Sequence, residues 1–297
     1  MKNTVFTGAG TAIITPMTET GVDYEALGRL IDFQLEKGID AIVAAGTTGE
    51  GSTLTDSEHE ELISFCVKRI AGRVPVIAGT GSNNTAHAIE RTKTACSAGA
   101  DAVLLVTPYY NKTTQRGLIA SFSAIADASS VPCILYNVPS RTALNMVPET
   151  LNVLADHERI AAVKEACGNI SQVAKELELC GDRLDVYSGN DDQTVPIMSL
   201  GGSGLISVVA NILPGKTAEM CRKVSEGDVR GAAKLQLSML NLMNQTMIET
   251  NPIPVKAGCA AMGFGRYILR LPLVEMEEGN RQKLLELMKA QGLEVKA

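Results

Sequence analysis

Ile160-Ala161-Ala162-Val163-Lys164-Glu165 is a short apolar run that ends in a lysine and a glutamate. A run of this length between polar flanks reads as a strand buried on both faces, as in a parallel sheet covered on both sides. Lysine is rarely buried, because taking an ammonium ion out of water disfavours its charged form. Most other lysines of the chain lie in stretches that read as amphipathic helix faces or polar loops. Lys164 instead closes a buried strand, and two readings compete for it. One is a side chain that snorkels to solvent; the other is an amine nucleophile that condenses with a carbonyl substrate.

Outward from this strand the same unit repeats. Apolar runs over 11–15, 41–45, 74–78, 102–106, 132–136, 184–187 and 205–209 join 160–164 as predicted strands. Helices are expected between them over 24–36, 56–70, 85–97, 115–126, 148–155, 171–179 and 193–200. Several carry apolar residues at three- and four-residue spacing, as in Leu27, Leu30, Ile31 and Leu35. Eight strands alternating with helices over about 200 residues predict an α/β fold, a (β/α)8 TIM barrel. The alternative is a doubly wound open sheet. Against it, no GxGxxG follows the first strand and no GxxxxGK[ST] occurs, while Gly201-Gly202-Ser203-Gly204 precedes a strand, the wrong end to cradle phosphate. Past Ile212-Leu213-Pro214 the pattern turns purely helical, over 217–225, 229–248, 255–262 and 280–291. The expected organisation is a barrel over 1–227 carrying the active site and a C-terminal helical extension over 228–297.

Composition narrows the chemistry. A chain of 297 residues with 45% hydrophobic and 20% charged residues builds a large soluble core. A net charge of -6 argues against a nucleic-acid partner, which needs a basic patch. Met1-Lys2-Asn3-Thr4-Val5-Phe6 lacks an apolar signal core and no run is long enough to span a membrane, so the expected location is cytoplasmic. The seven cysteines form no CxxC pair and read as reduced. With only His59, His87 and His157 present, zinc, iron and a Cys–His nucleophile are all disfavoured, and neither metal nor cofactor is expected.

In a barrel of this kind, reacting groups lie at the carboxyl ends of strands and in the loops beyond. Those positions here are polar: Gly46-Thr47-Thr48-Gly49-Glu50, Thr107-Pro108-Tyr109-Tyr110-Asn111, Tyr136-Asn137-Val138-Pro139-Ser140-Arg141-Thr142, Lys164, Ser188-Gly189-Asn190 and Ile206-Ser207. A lysine that attacks a carbonyl must be unprotonated. Holding it so near pH 7.5 costs about 4 kcal/mol from an ordinary lysine, a shift that an apolar barrel interior supplies by desolvation. Tyr136, on the neighbouring strand, is the best-placed proton carrier, with Tyr110 a second and Thr47 a relay between them. Taken singly, each tyrosine also fits a core ring with a satisfied hydroxyl. Arg141 suits bidentate capture of a carboxylate, or equally a rim salt bridge, and backbone N–H groups around Thr47-Thr48 suit a second carboxylate.

Together, Gly46 to Glu50, Tyr136 to Thr142 and Val163-Lys164-Glu165-Ala166 resemble the dihydrodipicolinate synthases, within the superfamily of N-acetylneuraminate lyase. Thr107 to Asn111 and Asn251-Pro252-Ile253-Pro254-Val255-Lys256 fit the same family, and the likeness runs through essentially the whole chain. The resemblance implies that Lys164 forms an imine with pyruvate. It implies a proton relay of Tyr136, Thr47 and Tyr110, with Tyr110 supplied across a subunit interface. Thr48 and the backbone at Ile206 would position pyruvate, Gly189 would lie near the imine, and Arg141 would hold the carboxylate of L-aspartate 4-semialdehyde. The implied activity is the condensation that opens the diaminopimelate branch of lysine biosynthesis, in a homotetramer without cofactor or metal. Some members bind lysine at positions here occupied by Gly51, Ser52, Asp56, His59, Asn83, His87 and Tyr109. His87 stands where lysine-sensitive members carry a glutamate, and Asp56 where they often carry a histidine, so weak or absent inhibition is expected. Two other readings are a pyruvate-dependent Schiff-base aldolase acting on a sugar acid, and a catalytically silent barrel used for binding.

Overall fold

Eight parallel strands pair in chain order and close on themselves: β1 (Gly8–Ala12), β2 (Ala41–Ala44), β3 (Val76–Gly79), β4 (Ala102–Val106), β5 (Cys133–Asn137), β6 (Ile160–Glu165), β7 (Asp185–Ser188) and β8 (Gly204–Ser207). The computed structural model describes residues 4–296, so the expectation drawn from Met1-Lys2-Asn3 lies outside the described residues. Around the barrel run α1 (Tyr24–Glu36), α2 (Asp56–Ile70), α3 (Thr85–Ser97), α4 (Gln115–Asp127), the short α5 (Pro139–Thr142), α6 (Pro148–Leu154), α7 (Ile170–Cys180) and α8 (Thr194–Ser199). Then follow α9 (Pro214–Ser225), α10 (Val229–Gln245), α11 (Ile253–Ala261) and α12 (Glu278–Ala290).

Capping explains why the first three helices begin where the sequence places them. Asp23, Thr55 and Asn84 accept N–H groups of the first turns of α1, α2 and α3, and Glu58 reaches back to Thr55 to complete a capping box. The first strand differs from expectation, starting at Gly8 rather than at residue 11. Ile13 and Ile14 are buried without belonging to it; their N–H groups go to Val43 O at 3.0 Å and Asn211 Oδ1 at 2.9 Å. Hydrophobicity marked burial there, while the strand itself starts three residues earlier. Glycine disguises the true start because it is a poor strand former, yet the closure needs it: a Cβ on Gly204 would stand 2.1 Å from Gly8 O.

The barrel interior is packed rather than open. Phe6, just ahead of β1, stacks on Tyr187 at 4.4 Å between centroids, and the Tyr187 hydroxyl donates to Phe6 O at 2.6 Å. Outside the sheet, α9 packs on β1, α10 on α9 and α8, and α12 on α10 and α11. One apolar core runs from α1 and β1 into these last helices, burying Leu27, Ile31, Met220, Met239, Cys259 and Met288. Among the described residues no helix is long and apolar enough to cross a membrane.

Candidate active site

Lys164 is the penultimate residue of β6 and is 5% exposed, so its side chain does not snorkel to solvent. Strand register places it beside Tyr136 on β5 and Tyr187 on β7. Its Nζ lies 4.3 Å from the centre of the Tyr136 ring, a cation–π distance. Burial lowers the pKa of this amine from 10.5 to about 8; the Asp191 carboxylate pulls it back up and Arg141 pushes it down. At pH 7 an amine of pKa about 8 is neutral in roughly one molecule in ten, against about one in 3,000 for an ordinary lysine.

Tyr136 is buried, and desolvation raises its pKa, opposed by the Arg141 charge and by a side-chain hydrogen bond with Thr47. The phenol therefore keeps its proton at neutral pH and has one to give. Thr47 is exposed in the loop after β2 and lines a cavity of about 280 Å³ together with Tyr136, Arg141, Ser52, Arg91 and Tyr109. Lys164 adjoins this cavity through Tyr136. Tyr110 is not brought into the site of its own chain: it is 92% exposed, with φ of 69°. Ala45, Glu50, Lys112 and Ala143 also hold positive φ and lie in loops after β2, β4 or β5, whereas Ala71, the other such residue, caps the end of α2. Each such residue costs about 1–3 kcal/mol, so strain is concentrated on the edge where chemistry is expected.

Four predicted residues, Thr48, Arg141, Gly189 and Ile206, lie on that edge, and a residue the sequence reading left without a role joins two of them. Asn251, in the turn before α11, donates from Nδ2 to Thr48 Oγ1 at 3.0 Å and accepts Arg141 Nη2 on its backbone oxygen at 3.2 Å. Its Oδ1 is buried with no hydrogen-bond partner, an arrangement that costs about 1–3 kcal/mol and marks places kept for function. Among the described residues the Thr47 and Thr48 N–H groups also have no partner, leaving two adjacent donors. Gly189 donates its N–H to Glu165 O at 2.7 Å, and a Cβ there would meet the Ala166 Cβ at 2.8 Å, so only glycine lets β7 pass this close to the end of β6. Ile206 is buried in β8, in register with Gly10.

Two more groups were not singled out from sequence. Asp191 is buried and accepts the Ser207 hydroxyl and the N–H groups of Val208 and Val209, the latter at 3.2 and 3.0 Å, which ties the β7 loop to β8. Burial raises its pKa. Lys256 is a second buried lysine, 1% exposed and ion-paired with the equally buried Glu50 of the Thr47-Thr48 loop. Its signal was legible: it sits in α11, a segment apolar all round, where a lysine has no polar face to occupy. Behind Lys164, Glu165 points into the layer between sheet and helices, held by Asn137 Nδ2 at 3.1 and 3.0 Å and by Cys167 N–H at 2.7 Å. Burial pushes the adjoining Glu176 carboxyl up to about 9, with the Glu165 charge adding to it, so Glu176 is protonated at neutral pH. Among the described residues no group of three or more His, Cys, Asp or Glu side chains is placed to hold a metal ion.

Comparison with known proteins follows the same line. The model of the dihydrodipicolinate synthetase family matches residues 5–291. A 4-hydroxy-tetrahydrodipicolinate synthase of Clostridium perfringens is 55% identical over 289 residues, 97% of this chain and 99% of that protein. The crystal structure of dihydrodipicolinate synthase from Aquifex aeolicus superposes with a TM-score of 0.96 at 45% identity, covering 98% of this chain and 100% of that one. A chloride-inhibited dihydrodipicolinate synthase from Acinetobacter baumannii, complexed with pyruvate, gives 0.95 at 42% identity, over 98% of this chain and 100% of that one.

Proposed function

The chain belongs to the dihydrodipicolinate synthetase family and has the activity of a 4-hydroxy-tetrahydrodipicolinate synthase, a lyase; from that premise we propose that it works through an imine between Lys164 and pyruvate. The observation that carries the proposal is a buried amine of lowered basicity, 4.3 Å above a tyrosine ring at the carboxyl edge of the barrel. The neutral Lys164 Nζ attacks the pyruvate keto carbon, and Tyr136 gives a proton to the departing hydroxyl so that water leaves. Loss of a methyl proton yields the enamine, whose carbon attacks the aldehyde of L-aspartate 4-semialdehyde. Transimination and ring closure then free the lysine. Thr47 relays protons to Tyr136, while Thr48, the N–H groups beside it and the backbone at Ile206 hold the pyruvate carboxylate, with Gly189 near the imine. The test is reduction with borohydride in the presence of pyruvate, followed by peptide mapping. A reduced pyruvyl mass on Lys164 is expected, and an unmodified protein would overturn the imine.

Arg141 takes the carboxylate of the aldehyde substrate. It lines the cavity with Tyr136, and among the described residues only one of its donors is committed, to Asn251 O. Arg141→Ala should raise the KM for aspartate 4-semialdehyde by about 10- to 100-fold, the worth of one charge-assisted contact. Capture of pyruvate by borohydride should change far less. Equal loss of both steps would remove this role. The sugar-acid aldolase reading gives way to the synthase, whose relatives share half or more of their residues with this chain.

Tyr110 completes the relay from a partner subunit, and the working form is a homotetramer of this chain. A tyrosine 92% exposed on a strained backbone, absent from the lining of the cavity that Tyr136 borders, supports that reading. A cytoplasmic location is in keeping with cysteines that are all free among the described residues. Feedback by lysine is weak or absent. The one carboxylate of that cluster, Asp56, already meets His87 Nε2 at 3.0 Å and Arg91 Nε and Nη2 at 3.1 and 2.9 Å through the same oxygen. Added lysine at millimolar concentration should leave the rate unchanged, whereas an inhibition constant in the micromolar range would contradict this.

A further inference from the structure

We infer that Asn251 is a positioning residue that aims the Thr48 hydroxyl at the pyruvate carboxylate. The inference rests on the imine reading and extends it to a residue that lies 203 positions away in the chain, outside the barrel strands and their loops. A hydroxyl has one hydrogen to give and lone pairs to receive. Asn251 Nδ2 fills the receiving side of Thr48 Oγ1 at 3.0 Å. Thr48 Oγ1 therefore gives its own hydrogen elsewhere, and among the described residues no acceptor takes it. A carboxylate bound at the neighbouring Thr47 and Thr48 N–H groups would receive that hydrogen as a third donor.

The segment that carries this amide is held in place. Asn251 is 5% exposed, its backbone oxygen is engaged by Arg141 Nη2, and five residues later Lys256 pairs with Glu50 in the Thr48 loop itself. The turn before α11 and the helix itself thus grip the pyruvate loop at two points. The Asn251 side chain serves Thr48, and its backbone serves Arg141. This division makes the role separable, because replacing the side chain removes the contact to Thr48 and leaves the oxygen that Arg141 uses.

Asn251→Ala should raise the pyruvate concentration for half-maximal borohydride trapping, and the KM for pyruvate, by about tenfold, the loss of one oriented donor to a charged group. The KM for aspartate 4-semialdehyde should move less than threefold. Asn251→Asp keeps the side-chain shape but offers only acceptors when ionised, so Thr48 would turn its hydrogen toward the aspartate and the pyruvate KM should rise further. A Thr48→Val variant should lose about the same tenfold, and Asn251→Ala added to it should cost nothing more. An unchanged pyruvate KM in Asn251→Asp, parallel rises for both substrates, or multiplicative losses in the double variant would each overturn the inference. Failure of the imine reading looks different: the unaltered protein itself would then show no pyruvyl adduct on Lys164. Should Asn251→Ala not fold, the isosteric Asn251→Asp carries the same readouts.

Discussion

Lys164→Ala lowers kcat by at least about 1,000-fold and abolishes the borohydride adduct, because no other group at the site replaces the nucleophile. Lys164→Arg fails equally, since a guanidinium does not give up its proton in a protein. The two buried lysines make the result specific. Lys164 has an aromatic face and a distant carboxylate around it, and desolvation lowers its pKa to about 8. Burial lowers the pKa of Lys256 as well, but its amine is ion-paired with the buried Glu50 carboxylate and so is not free to attack. Mapped adducts should therefore fall on Lys164 and spare Lys256. The rate of trapping should climb about tenfold per pH unit below pH 8 and level off above it, as the free-amine fraction dictates. A flat profile from pH 6 to pH 9 would contradict the lowered basicity.

The same shift has a consequence for stability. Lys164 has a lower pKa folded than unfolded, so between about pH 8 and pH 10.5 the unfolded chain binds the extra proton. Burial of the charged amine costs stability in full below pH 8, and the cost fades as pH rises through that window. Lys164→Met should accordingly stabilise the inactive protein at pH 7, the expected trade between a poised group and a rigid fold.

Breaking the Glu50–Lys256 pair should be the most damaging change away from the reacting atoms. Either Lys256→Met or Glu50→Gln leaves one partner buried at 1% exposure without its counter-charge, a loss of about 3–5 kcal/mol in denaturant unfolding. The double variant Glu50→Leu/Lys256→Met should recover most of that loss, because neither charge then remains to be solvated. Glu50 also accepts the Arg270 N–H at 3.2 Å, and Arg270 goes on to Thr53 O at 2.8 Å and to Glu58. The single variants should therefore loosen the Thr47-Thr48 loop and raise the pyruvate KM as well. Losses below about 1 kcal/mol would mean that the pair is solvated like a surface one.

Local sequence determined the repeating unit. Most barrel strands are short apolar runs, several with a polar cluster at the carboxyl end, and each of the first three helices carries a side-chain cap at its start. These signals depend on residues a few positions apart, so eight strands, the helices between them, and Lys164 with Tyr136 were legible without coordinates. The first strand was displaced because Gly8 and Gly10 look unlike a strand, and their use is visible only when β8 is laid against β1. Tertiary structure alone decided the neighbours across the chain. Asn251 meets Thr48 and Arg141, Lys256 meets Glu50, and Asp191 acts on Lys164 because a closed barrel folds its last helices back over the loop after β2 and brings the loop after β7 beside β6. Hydrogen bonds and charges act over a few ångströms of space, whereas sequence patterns report spacing along the chain. What a residue is was written in the sequence; which distant partner sets its proton or its direction was settled by closure of the barrel.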